Sequence, residues 1–150
     1  MNVISVWCPC VRCLNPDCRP IPHRQIFLPH PNPRSIFLSQ PDWPTDGWTA
    51  YIACRECGFV SEYKKSDLEW GGSPNLDLWI HNSFRCVEAR CDQENCKFPI
   101  PIYVLAMQSD TANDLEEILN DGKGTAMCKA GHSLKRPLTV ANMKDVNDLV

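Results

Sequence analysis

The chain has 150 residues and a formal net charge of -3, with hydrophobic residues at 43%, 13 prolines and 10 cysteines. That length suits one ordinary domain or two small ones, and two small ones would each need a staple beyond a thin core. The charge excludes a strongly basic nucleic-acid footprint: residues 1–70 carry seven Lys/Arg and seven Asp/Glu, and residues 71–150 carry eight against eleven.

The staple follows from compartment. The segment Met1–Trp7 has neither a basic n-region nor an apolar run of signal length before Cys8. No stretch approaches the ~20 apolar residues of a membrane span. The expected location is therefore a reducing cytoplasm, where paired cysteines bind metal more often than they cross-link.

Taken in order, residues 8–18 hold Cys8, Cys10, Cys13 and Cys18. Cys10-x2-Cys13 and Cys13-x4-Cys18 compete as a ligand pair. The second encloses Asn15-Pro16-Asp17, which is turn chemistry, and is preferred. Cys8 and Cys10 then lie on the incoming strand as buried small hydrophobes or exposed spare thiols, or else supply an extra or exchanging ligand. Arg19 to Leu28 reads as a strand with proline at its start. Residues 29–46, with five prolines around Ile36-Phe37-Leu38, read as an extended loop. Trp43 and Trp48 flank a turn and cover a thin core, or else form a platform for a partner peptide.

Gly47 to Ala53 alternates into Cys54-x2-Cys57-Gly58, and Phe59 to Lys65 leads away. In such a knuckle a tight turn offers two thiolates to one metal, and the glycine relieves the backbone behind the second. Ser66 to Trp70 reads as a helical turn. Gly71-Gly72-Ser73-Pro74 reads as a linker, placing boundaries at 1–70, 71–75 and 76–150.

The second half starts with strand text carrying Phe84, Cys86 and Glu88 on one parity, then Cys91-x4-Cys96, then an apolar strand through Ala106. Cys86-x4-Cys91 has the same spacing as Cys91-x4-Cys96. The latter is preferred because Asp-Gln-Glu-Asn is turn-like and Val-Glu-Ala-Arg strand-like. Thr111 and Asp114 form a capping box opening a short helix, with Ala112, Leu115, Ile118 and Leu119 on one side and Asn120-Asp121-Gly122 as its stop. Cys128-x3-His132 is a second knuckle, and Leu134 to Leu138 the strand after it. Val140, Met143, Val146 and Val150 recur at helical spacing and predict a small terminal helix.

The halves repeat. Cys13-x4-Cys18, an Ile-Pro step at 21–22, an insert and Cys54-x2-Cys57 are matched by Cys91-x4-Cys96, an Ile-Pro step at 100–101, an insert and Cys128-x3-His132. On these residues each half resembles a zinc ribbon, with rubredoxin-like knuckles, as in tandem zinc ribbons of uncharacterised bacterial proteins. The resemblance implies a mostly β, metal-stabilised fold of antiparallel hairpins with one or two short helices in the second half. It implies two structural Zn²⁺ ions, one on Cys13, Cys18, Cys54 and Cys57, the other on Cys91, Cys96, Cys128 and His132. Four thiolates on Zn²⁺ leave about -2, and three with one histidine about -1. Iron is the second metal to consider, at the all-cysteine site alone. His23, His30 and His81, in loop or alternating text, are not expected to touch metal.

No nucleophile elbow, phosphate loop, dinucleotide fingerprint or His-Glu-x-x-His motif occurs, and Glu116-Glu117 reads as a solvated helix face. The expected function is a non-catalytic zinc-binding module whose partner is a protein, with no small-molecule substrate. The alternative is a nucleic-acid-binding ribbon of transcription or translation, drawing on Arg12, Arg19, Arg24, Lys129, Lys135 and Arg136. A rubredoxin-like electron carrier comes third.

Overall fold

A computed structural model of the chain describes residues 7–18, 25–28, 46–72 and 82–146. The described residues are mostly β. Strand β1 (Trp7–Arg12) pairs antiparallel with β2 (Gln25–Phe27) on one side and with β5 (Glu69–Gly72) on the other. A second sheet has the order β4-β3-β7-β6-β8, from β3 (Thr49–Ala53), β4 (Val60–Lys64), β6 (Asn82–Ala89), β7 (Ile100–Met107) and β8 (Val140–Val146). Its neighbours are antiparallel except β3 and β7, which run parallel through Ile52–Tyr103 and Ala53–Val104. That parallel pair joins the two halves of the chain in one sheet.

The alternation of side chains explains why this sheet has a core on each face. On β7, Ile100, Ile102, Val104 and Ala106 are buried in one core, while Tyr103 and Leu105 pack into the other. On β3, Ile52 and Ala50 face one way and Ala53 the other. The first core closes under β1 and β2 with Val11, Ile26, Leu28, Trp48 and Tyr63; the second closes under the helix α1 (Ala112–Asp121) with Leu115 and Leu119. Each core borrows from the other half: Phe84 and Val146 enter the first, Ala53 and Val60 the second. Pro101, with no N–H to give, sits on β7 before the β3 pairing begins, where that side of the strand needs no donor.

The helix forms as its text predicts. Thr111 Oγ1 accepts from the Asp114 N–H at 3.2 Å, and the Asp114 carboxylate accepts from the Thr111 N–H at 2.8 Å. Its far end is closed by Arg136, which donates to the carbonyls of Leu119, Lys123 and Gly124 at 2.9–3.0 Å. The Leu119 carbonyl is one that the helix end leaves unsatisfied, and the other two lie on the run that follows the helix.

Four expectations are corrected. The terminal helix is strand β8, because Val140, Met143 and Val146 lie opposite Ala89, Val87 and Phe84 of β6. An irregularity at Glu88/Ala89 puts Val140 and Met143 on the same core, and Val146 turns to the other. Spacing by three thus comes from a bulge and two cores rather than from helical winding. Leu134 to Leu138 is not a strand: Leu138 bonds through both its N–H and C=O to the Asn120 side chain, which takes the place of a neighbouring strand. The helical turn after β4 is Lys65–Asp67, and the expected linker glycines Gly71 and Gly72 are the last residues of β5, opposite Cys8 and Trp7. Residues 73–75, Trp43, His23, His30 and His81 lie outside the described residues, as does the Cys8 side chain.

Candidate metal centres

At the end of β1 the chain turns on Asn15. Its side chain accepts from the Asp17 N–H at 3.0 Å and its carbonyl from the Cys18 N–H at 3.1 Å, which folds Cys18 back toward Cys13. Between β3 and β4 a second turn is closed by Cys54 N–H to Phe59 C=O at 3.0 Å and Gly58 N–H to Cys54 C=O at 2.7 Å. Gly58 has φ of +71°, a conformation that L side chains resist. The two turns meet. Cys13 Sγ is 3.6 Å from Cys57 Sγ and Cys18 Sγ is 3.9 Å from Cys54 Sγ, with all four sulfurs within 4.8 Å of one another. Three of the four residues are buried. Beside them the buried Tyr63 hydroxyl accepts from the Leu14 N–H at 3.3 Å.

The second group is built the same way from β6 and β7. Cys96 N–H donates to Gln93 C=O at 3.0 Å, and Asn95 takes the left-handed conformation that asparagine tolerates. The facing knuckle is closed by Cys128 N–H to His132 C=O and by Gly131 N–H to Cys128 C=O, at 3.0 and 2.9 Å. Cys96 Sγ and Cys128 Sγ stand 3.8 Å apart, and His132 Nδ1 is 3.6 Å from Cys91 Sγ and 3.5 Å from Cys128 Sγ. Here Cys96 and His132 are half-exposed. The eight residues singled out in the sequence are thus brought together in two quartets. Cys10 and Cys86 are buried but belong to neither.

Whether these quartets fit a metal ion can be judged from their edges. Around a tetrahedral ion with metal–sulfur bonds of ~2.3 Å, neighbouring sulfurs stand about 3.8 Å apart, and a sulfur and an imidazole nitrogen about 3.6 Å. Five of the edges, at 3.5–3.9 Å, match, the others lie within 4.8 Å, and no cysteine of either quartet is in a disulfide. Each quartet could hold one ion. Ionisation of the thiols is graded. Burial pushes Cys13 up, and pushes Cys18 up to about 11. Burial also opposes ionisation of Cys57 and Cys128, but is outweighed at Cys57 by the Asn15 side chain and the Phe59 backbone, and at Cys128 by backbone N–H groups of His132 and Ala130. Cys57 falls below the ordinary thiol value and Cys128 falls to about 7. Cys57 and Cys128, each with hydrogen-bond donors aimed at its sulfur, ionise more readily than Cys13 and Cys18.

Two groups around the centres, the Arg55–Asp110 pair and Gly124, escaped the sequence, as did the approach of Gly58 to the helix. Arg55, inside the first knuckle, donates to the Leu105 carbonyl at 3.1 Å and pairs with Asp110 through both guanidinium nitrogens. Arg55 holds the Asp110 carboxyl below the usual carboxylate range, and the Met107 N–H also donates to it at 2.7 Å. Gly58 lies so close to α1 that a Cβ there would stand 2.2 Å from the Ile118 carbonyl oxygen. Gly124, at φ of +89°, would bring a Cβ within 1.9 Å of the Val60 carbonyl oxygen. No spacing rule signals a contact made across 55 residues; only the positive-φ glycines left a trace, as glycines.

The fold and sites together define a mostly β chain with two thiol-rich groups suited to metal. Comparison with models of protein families, with curated proteins and with solved structures finds no match to this chain. Among the described residues no helix is long and apolar enough to cross a membrane.

Proposed function

We propose that this chain is a non-catalytic binding module with two structural zinc ions, one on four cysteines and one on three cysteines and a histidine. The carrying observation is closure: each quartet supplies four protein donors within 4.8 Å of one another, with five of the separations at 3.5–3.9 Å. Such a site leaves no position for a water or substrate on the metal, whereas catalytic zinc keeps one open. Thiolate and imidazole donors suit zinc, and iron remains an alternative only at the all-cysteine quartet.

The partner is a protein. Leu14 and Met127 adjoin Cys13 and Cys128, and Phe98 lies two residues past Cys96, each with nearly half its surface exposed; exposed apolar side chains suit a protein surface. The nucleic-acid alternative is weakened by the cations it relied on. Arg12 is paired with Glu69 at 2.9 Å, and Arg136 is spent on carbonyls. Elemental mass spectrometry of the native protein should find two zincs per chain; no metal, or a red iron-bearing preparation, would overturn the reading. Micromolar affinity for DNA or RNA that falls steeply with salt would favour the alternative.

A further inference from the structure

The closing knuckle of the second quartet has almost no secondary structure of its own. Between Gly122 and Leu138 its backbone makes only two isolated bridges, Met127–Ser133 within the knuckle and Val60–Gly124 outside it. The outside bridge is made to the first half: Val60 N–H donates to Lys123 C=O at 2.9 Å and Thr125 N–H donates to Val60 C=O at 3.0 Å. Val60 is three residues past the ligand Cys57, and Thr125 three before the ligand Cys128. The dependence also runs the other way. The first closing knuckle holds Gly58 against Ile118 and Gly122, and Arg55 against Leu105 and Asp110, all from the second half. Tyr51, on the strand entering the first knuckle, packs into the second core with its hydroxyl beside the Met127 backbone.

From this shared junction we infer that the two metal centres are a coupled pair, in which an ion at either one raises the affinity of the other. The inference rests on the zinc reading given above. A metal fixes its knuckle; each knuckle is part of the surface that orders the other, so the ordering cost is met once for both ions. Coupling of this kind is reciprocal, and the same factor must appear whichever site is varied.

The test uses the full-length chain, stripped of metal and titrated with Zn²⁺ against a competing chelator. Cys13→Ser/Cys18→Ser removes the first ion without touching the junction, and should weaken the second site. Cys91→Ser/Cys96→Ser should weaken the first site by the same factor, about 5- to 150-fold on the scale of such couplings. Arg55→Met keeps all eight ligands and should shrink the factor while two ions still bind, so the result does not depend on whether a ligand variant folds. Unchanged affinity at each remaining site, or a factor that survives Arg55→Met undiminished, overturns the coupling through this junction. A wild-type chain that takes up no Zn²⁺ fails the zinc reading itself, which is a separate outcome.

Discussion

Around the first quartet both knuckles grow out of strand pairs, β1–β2 and β3–β4; around the second only Cys91 and Cys96 do, from β6–β7. Cys128 and His132 are carried on a run whose backbone is held by Val60, by the Asn120 side chain and by Arg136. The first quartet also lies deeper, with one member half-exposed against two in the second. The comparison teaches that a ligand pair can be placed by a strand of its own or by neighbours that lend their hydrogen bonds. The second way saves chain length and makes the site dependent on whatever lends them.

The largest effect that can break this comparison is removal of metal. Zinc at a structural site supplies on the order of 10 kcal/mol of folding energy, so chelation should abolish the cooperative thermal transition. Within that loss Cys18→Ser should cost more than Cys96→Ser, since the first thiol is fully buried and the second half-exposed. A chain that kept its near-UV circular dichroism and melting midpoint after complete stripping would sink the structural role of both sites.

Next comes the junction on which the second knuckle hangs. Gly124→Ala puts a methyl group into the Val60 carbonyl at a positive φ, and should destabilise by roughly 2–5 kcal/mol in urea unfolding, as overpacking and left-handed strain add. A cost under about 0.5 kcal/mol, the level of an ordinary surface change, would mean that the second knuckle does not lean on β4.

Arg55→Met should cost about 1–3 kcal/mol, the range for hydrogen bonds to charged groups, because it leaves the mostly buried Asp110 without its partner. Its pH dependence sharpens the assignment. Because Arg55 lowers the Asp110 carboxyl in the folded chain, the stabilisation is complete above the ordinary carboxylate value of about 3.9 and is lost as pH falls through the lowered one. Wild type should therefore lose more stability than Arg55→Met on acidification below about pH 4, read from urea midpoints across pH. The smallest effect is expected at Arg12, whose pair with Glu69 is exposed on both sides. Arg12→Ala should leave the urea midpoint close to that of wild type and the metal content at both sites unchanged.

Much of each quartet was legible because knuckle chemistry is local. Asn15-Pro16-Asp17 sets a turn that only Cys13 and Cys18 flank suitably, and the capping box at Thr111 and Asp114 works within four residues. The preference for Cys18 over Cys10, and for Cys96 over Cys86, agrees with the quartets. The parallel pairing of β3 with β7 was not legible, since the repeat suggested two hairpin units side by side and nothing in Ile52-Ala53 names a partner fifty residues away. The tail was misread for a physical reason: a bulge plus cores on both faces of a sheet reproduces helical spacing. Glu116, read as solvated, accepts from the Val140 N–H at 2.9 Å and so helps tie α1 to β8. Arg136 looked like part of a basic patch because a formal charge count cannot tell a solvent-facing guanidinium from one that caps a helix.

The parallel pair of β3 and β7 has a consequence for how the chain can be divided. Cut between the repeats, each fragment would keep a complete ligand quartet yet present a bare strand edge, β3 on one and β7 on the other, flanked by apolar side chains that normally sit in the opposite half's core. Bare edges of that kind recruit other strands. The fragments would be drawn to each other, or to further copies of themselves.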